Sequence, residues 1–491
     1  MTTVNLPSSQ LGLNISDPLD NMEQNYAIQM DNLIPDNDGD RVRKGFVQVC
    51  ENGYNVLCSV NRDGTKRILA ATDDTIDVYD IDDFETVIQT KTGFVSNDWV
   101  GVPFTDGSGA QHTIIANGVD TPQDYTTSLS DVGFTIPEGV HLDRPLAFKN
   151  RIYFIGGDFD LYYGGVQSIS GSLNQFSMGS YFRQGGKILT IANWTQDAGD
   201  GVNDLLVIVS TEGEVLIYSG TSPEASDWAM VGVFRIPRPI GKRCLTMLGA
   251  DLICITEKGY LPLSSVLSDL RANRTTINRS IDGIVGERDK TKRWDIFFYS
   301  KAGLLIVNTP STISGYAYEQ HVLNFNTNAW CRFVGMDADS WCVCGDRVFF
   351  CNSKGIFEAN KGYSDNGANI VFQIQKAYNQ FGTPFKKQLM RIVPRYWCAG
   401  TPQLFHRINV DFNEGKKSSI QLQKQSERSS YWDEAIWDEN FWSDEFTAYY
   451  LRASISSRTG SYISLGYYGR TREELVIYST GLIIKNGQGH I

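Results

Sequence analysis

The sequence predicts a mainly β protein: a β-propeller of six or seven blades over residues 46–370, preceded by an N-terminal arm (1–45) and followed by a β-sandwich-like C-terminal domain (371–491). Three observations carry this expectation. Aromatic residues make up 12% of the 491-residue chain and glycine occupies 46 positions, which favours short strands joined by tight turns. One module returns through the middle of the chain: an apolar run, a polar turn usually holding glycine, and a second apolar or aromatic run. Its copies beginning at 205, 251, 295 and 343 stand 46, 44 and 48 residues apart, a spacing that suits a four-stranded blade.

Residues 1–45 are polar and irregular, with 35-PDNDGDR-41 a turn cluster, and read as an arm or entry strand. The module then appears as 67-RILAATDDTIDVYDI-81, 145-PLAFKNRIYFIGG-157, 205-LLVIVSTEGEVLIYSG-220, 251-DLICITEKGYLPLSS-265, 295-DIFFYSKAGLLIVNT-309 and 343-VCGDRVFFCNSKGIFEAN-360, with a weaker copy at 112-HTIIANGVDTPQDY-125. Each run is too short for a helix and right for a strand. A lone blade leaves both faces uncovered, so several must close around an axis. Kelch and WD-type signatures are absent, and a pair of stacked β-sandwiches is the structural alternative. After about 370 the runs lengthen: 404-LFHRINVDF-412, 448-AYYLRASIS-456, 461-SYISLGYYG-469 and 475-LVIYSTGLIIKNGQGHI-491.

The formal charge of −12 leaves no diffuse basic surface for holding phosphates by counter-ion release. Basic residues nevertheless cluster in 41-RVRKGF-46, 235-RIPRPIGKR-243, 271-RANRTTINRS-280 and 386-KKQLMRIVPR-395. Arg235, Arg238, Lys242 and Arg243 are therefore expected at packing or inter-subunit salt bridges. The nine cysteines form no C-x-x-C pair and sit mostly in apolar runs, as small buried thiols do. The opening MTTVNLPSSQ shows no basic region followed by an apolar run, and no apolar stretch of about 18 residues is present, so cytoplasmic synthesis without a signal peptide or membrane anchor is expected. The N-x-S/T sites at Asn14, Asn193 and Asn278 then read as chance matches.

Catalytic motifs are missing: there is no H-E-x-x-H, no G-x-S-x-G and no phosphate-cradling glycine loop. The five histidines (112, 141, 321, 406 and 490) are isolated in sequence, and neither a metal site nor a cofactor is expected. 36-DNDGD-40 departs from a calcium loop, since Arg41 stands where the glycine belongs and Val47 where the bidentate Glu belongs. 61-NRDGT-65 only faintly matches the Asp-box turn of sialidase propellers.

The most unusual stretch is 431-YWDEAIWDENFWSDE-445, with Trp432, Trp437 and Trp442 five residues apart. A five-residue step makes no stripe on a helix and alternates faces on a strand. Its clustered carboxylates lack the one-dry, one-wet pairing that acid–base catalysis needs. Packing or a subunit contact is the leading reading of the three Trp, with glycan stacking as the alternative.

Two segments carry a family resemblance. 30-MDNLIPDNDGDRVRKGF-46 ends in an Arg-x-Arg-Lys-Gly-aromatic entry, and residues 182–264 contain Phe-x-x-Gly-Gly-x-Ile, Trp-x-x-Asp-x-Gly-Asp-Gly and Gly-x-Phe-x-Ile-x-x-Pro-x-Gly-Lys-Arg in order. This resembles the tail nozzle, tail tubular protein B or tail accessory factor (DNA-stabilisation hub) proteins of short-tailed bacteriophages, with Phe234-Arg235 replacing the commoner Tyr-Arg pair. The resemblance spans nearly the whole chain. It implies a non-enzymatic virion tail protein, made in the host cytoplasm and assembled as a ring, usually of six copies. Portal and adaptor proteins would stand above it and fibres or spikes alongside, and double-stranded DNA would pass through it without specific binding. A glycan-binding or glycan-hydrolysing tail propeller is the alternative.

Overall fold

The computed structural model describes residues 2–62, 64–197, 202–267, 276–400, 402–415, 417, 449–450, 453–454 and 459–486. They form two compact units. One comprises 48–320 and 336–359, and the other 1–47, 321–335 and 360–491.

The first unit is a β-propeller. Its inner strands are Val56–Arg62, Val100–Thr105, Leu142–Phe148, Ile188–Asp197, Leu245–Leu248, Asp295–Tyr299 and Ser340–Cys344. Each packs beside the next, and Ser340–Cys344 packs back on Val56–Arg62, so the ring closes with seven blades. Blades one to four are four-stranded antiparallel meanders. In blade one, Val56–Arg62 pairs with Thr65–Ala71, which pairs with Thr75–Asp80, which pairs with Asp83–Thr92. Blade seven pairs Ser340–Cys344, Arg347–Asn352 and Gly355–Ala359 in the same manner. Its edge is covered by the Gln48–Cys50 part of strand Phe46–Cys50, so the start of the propeller segment fastens its end. Each of the seven strand–turn–strand modules falls in a different blade. They occupy the first hairpin in blades three and six and the second hairpin in blades one, two, four, five and seven.

Strand alternation explains the closure. In blade one, Leu57, Ile68, Ala70, Tyr79 and Ile81 point to one side and pack with Cys342, Cys344, Phe349, Cys351 and Ile356 of blade seven. Val56, Cys58, Val60, Leu69, Ala71, Ile76 and Val78 point the other way, onto Trp99, Ile115 and Tyr125 of blade two. Further apolar clusters join blades two and three around Phe104, Ile152 and Phe154, and blades three and four around Tyr153, Leu206 and Ile208. Each buried Ile, Leu or Phe contributes about 1.5–3 kcal/mol, so the cost of leaving a blade uncovered is large.

The second unit is a β-sandwich-like body of two sheets. In one, Leu475–Asn486 lies between Lys387–Cys398 on one side and Thr2–Leu6 and Asp40–Val42 on the other. In the other, Tyr26–Asp31, Ala368–Lys376, Ile463–Thr471 and Gln403–Val410 run in that order. Residues 1–45, read from sequence as a separate arm, are thus strands of the same compact unit as the C-terminal residues. The reason is pairing: Thr2–Leu6 registers along Thr480–Ile484. Arg43 of the entry motif is buried here, bidentate to Asp365 at 2.8 and 2.7 Å and donating to Asn32 Oδ1 at 2.8 Å. Asp40 is also buried and accepts the Ser9 N–H at 2.9 Å, the role of a structural anchor and not of a calcium ligand.

Candidate functional site

Two features mark the ends of the propeller's inner strands. At the end where the strands begin, seven blades contribute to one charged cluster. Asp98, just before the inner strand of blade two, binds Lys242 Nζ at 2.8 Å and Arg293 at 2.7 Å, and pairs with Arg243 as well. Lys242 also binds Asp143 of blade three at 3.0 Å. Arg243 donates to the Trp99 carbonyl at 2.8 Å, and Arg293 to the Asn55 carbonyl of blade one at 2.8 Å and more weakly to that of Asp339, leading into blade seven, at 3.4 Å. Arg144, with φ +50°, donates through Nε and NH2 to Thr190 Oγ1 of blade four at 3.1 and 2.9 Å. Asp295 of blade six stands 3.7 Å from Arg243 Nε.

The electrostatics follow from burial and charge. Burial opposes the ionisation of Asp98, but Arg243, Lys242 and Arg293 together outweigh it and hold the carboxyl well below the usual range. Asp295 goes the other way: burial raises it, and Arg243 and Arg293 only partly offset this. Burial, and then repulsion from Arg243, pulls Arg144 down to about 10, still protonated at neutral pH. The cluster is a lock of matched charges, suited to holding blades together.

The sequence-selected residues divide between two settings. Lys242 and Arg243 lie in this lock, and their carboxylates belong to the same chain. Arg238 pairs with Glu212 at 2.5 Å on the surface, and Arg235 is exposed at the end of outer strand Ala229–Arg235. Trp432, Trp437 and Trp442 lie outside the described residues, as do 271–275.

At the end where the inner strands of blades one to three finish, a cavity of about 690 Å³ opens. It is lined by Asn61, Phe104, Thr105, His112, Asn150 and Gln167, among others, with Lys149 and Asp204 beside them. His112 is buried, its Nδ1 2.8 Å from Asp124 and its Nε2 3.5 Å from Asp106. Burial raises the Asp124 carboxyl against the opposing pull of His112, while the Ser108 hydroxyl helps to lower that of Asp106. The histidine isolated in sequence is thus held between two carboxylates. Of the other histidines, His141 Nδ1 lies 2.9 Å from the Val119 carbonyl, and burial lowers His406. Among the described residues no three His, Cys, Asp or Glu converge as a metal site.

The cavity has no local signature in the sequence. Its residues are spread from 61 to 204 over four blades with no shared spacing.

No family model and no curated protein matches the chain. Among solved structures it is similar to the β-propeller domain of Myceliophteria thermophila Cps50 (Swd1), with 10% identity and a TM-score of 0.41 over 65% of this chain and 98% of that one. It is also similar to BBS1N in complex with ARL6DN, at 10% identity and a TM-score of 0.40 over 65% and 97%. The computationally designed Ika8 protein is a third, at 9% and 0.37 over 65% and 98%. The propeller assignment rests on the seven sheets and their closure.

Proposed function

We propose that the protein is a non-enzymatic structural subunit of a short phage tail, assembled with copies of itself, six in the form the resemblance implies, into a ring-shaped nozzle or hub. In this role it serves as conduit and closure for double-stranded DNA, with portal or adaptor proteins above and fibres or spikes alongside.

The observation that carries this reading is where the cations of the basic islands go. Arg41 pairs with Glu474 and Asp36, and Arg43 with Asp365. Arg238 pairs with Glu212, and Lys242 and Arg243 with Asp98 and Asp143 or Asp295. Lys387, fully buried, donates to the Phe385 and Ser461 carbonyls at 2.9 and 3.0 Å. In a chain of net charge −12, cations already matched internally offer a duplex little counter-ion release, and Arg235 is the exposed exception among the four selected in 235–243. A passing phosphate backbone meets repulsion without binding wells, which suits a conduit.

The charged lock fills one end of the propeller axis, so the duplex path in this reading is a lumen between copies, with each propeller as a block of the wall. Ring closure uses two different patches on each copy. Electron microscopy of the purified protein, with band-shift of duplex DNA at physiological salt, tests the proposal. A closed ring that leaves the duplex unshifted is expected. A protein that stays monomeric and never enters a tail, or a ring that retains duplex DNA, would overturn it.

A further inference from the structure

We propose that the cavity at the strand-finish end of blades one to three is a binding site for a neutral saccharide. The inference goes beyond the ring reading and does not depend on it. At about 690 Å³ the cavity falls within the range of roughly 300–1,000 Å³ typical of small-molecule sites.

Charge then narrows the ligand class. Lys149 Nζ is matched by Asp204 Oδ2 at 3.0 Å. His112 lies between Asp124 and Asp106. An anion would have to draw Lys149 from its carboxylate, and a cation would have to draw Asp204 from its ammonium, so neither charge is favoured.

The remaining wall groups are amides and hydroxyls. The exposed side chains of Thr105, Asn150 and Gln167 all border the cavity. Each amide offers a donor pair and an acceptor, and the hydroxyl offers both, which matches the vicinal hydroxyls of a sugar. Pro103, Phe104 and Ala147 add apolar surface for the C–H face of a ring.

The wall is also fixed in place. Lys149 and Asn150, at φ +46° and +60°, form the two-residue turn between Phe148 and Arg151, as a type I′ hairpin requires. Gln167, at φ +51°, has no hairpin to explain its conformation. It is held by its N–H to the Asn150 carbonyl at 2.7 Å and by its carbonyl to the Gly107 N–H at 2.8 Å, tying blade two to blade three across the cavity. A polar site held on rigid backbone loses little entropy on binding.

The test uses the full chain with N,N′-diacetylchitobiose, lactose and sucrose as probes, read by saturation-transfer NMR and calorimetry at millimolar concentration. At least one should bind saturably. Thr105→Trp, an exposed position whose new ring fills the cavity, should weaken it by at least ~10-fold with an unchanged melting temperature. Gln167→Ala, on an exposed loop, is the second variant and should weaken binding several-fold. The proposal is overturned if none of the three binds, if both variants bind as wild type does, or if inorganic phosphate binds there in their place. Ring assembly is a separate measurement, so failure here and failure of the ring reading are distinguishable.

Discussion

Arg293 of blade six binds Asp98 of blade two at 2.7 Å, joining blades that are not neighbours in the ring. Apolar contacts in a propeller link only adjacent blades, so this pair and the charges around it add a cross-tie that the cores do not supply.

The cross-tie predicts a definite acid response. Asp98 is held below its ordinary range, so its contribution is fully present above about pH 4 and is lost as pH falls through the lower folded value. Its side chain is 36% exposed, so solvent screening reduces the effect, and Asp98→Asn should cost on the order of 1–3 kcal/mol at neutral pH. Urea unfolding at pH 7 and at pH 3 checks it: the difference between wild type and variant should shrink at the lower pH. An equal difference at both would refute the ionic account.

Asp40 and Lys376 present the opposite case. Both are fully buried, 3.9 Å apart, with Lys376 also bonded to the Pro7 carbonyl. Burial raises Asp40 to about 6 despite Lys376 and the Ser9 N–H, and burial lowers Lys376. A raised carboxyl stabilises the fold most below its unfolded value near 4, and that share is lost as pH rises through about 6. Lys376→Met alone should cost about 3–5 kcal/mol by leaving Asp40 unpaired, while Asp40→Asn with Lys376→Met should recover most of the loss. Chemical denaturation of the wild type and the two variants between pH 4 and 7 reads both effects. A double variant no better than the single would contradict the pairing.

The sequence carried the fold further than the site. Short apolar runs with glycine turns reveal strands because alternation is a local signal, and one module per blade was visible. Phase was not visible: 205-LLVIVSTEGEVLIYSG-220 and 295-DIFFYSKAGLLIVNT-309 look alike, yet one is the second hairpin of its blade and the other the first. Every hairpin of an antiparallel meander carries the same alternation, so the pattern cannot number the strands. The pairing of Thr2–Leu6 with Leu475–Asn486 was hidden because register between distant segments leaves no local mark. Lys242 and Arg243 were singled out, but their partners Asp98, Asp143 and Asp295 are brought to them only by ring closure. The cavity depends on the same closure.

The cysteines should be silent in the native protein. All nine are free and buried. Burial pushes Cys58 up to about 11 although Arg243 and Arg293 lie near, and Cys344 up to about 11 although Lys66 does. A thiol reagent needs an accessible thiolate, and these supply neither access nor charge at neutral pH. Ellman's reagent should therefore modify no cysteine until the chain unfolds, and should then reach all nine. A fast-reacting thiol in the folded protein would disprove this.

The fastening of blade seven can be broken at one atom. Gly355 has φ +149°, and a Cβ there would stand 2.1 Å from the Cys50 carbonyl oxygen and 2.7 Å from Gln48 Nε2. Gly355→Ala must therefore push Gln48–Cys50 away from Gly355–Ala359, opening the edge that closes the ring, at on the order of 2–4 kcal/mol. Gly139→Ala is the control, with φ +77° but nothing within 4 Å of the added methyl, so it bears backbone strain alone, about 1 kcal/mol. Thermal unfolding of both, with limited proteolysis near residues 48–55, separates the effects. Gly355→Ala should melt lower and be cut there first, because the loosened segment no longer has blade seven to hold it, whereas equal melting and cutting in the two variants would mean that closure does not depend on this contact.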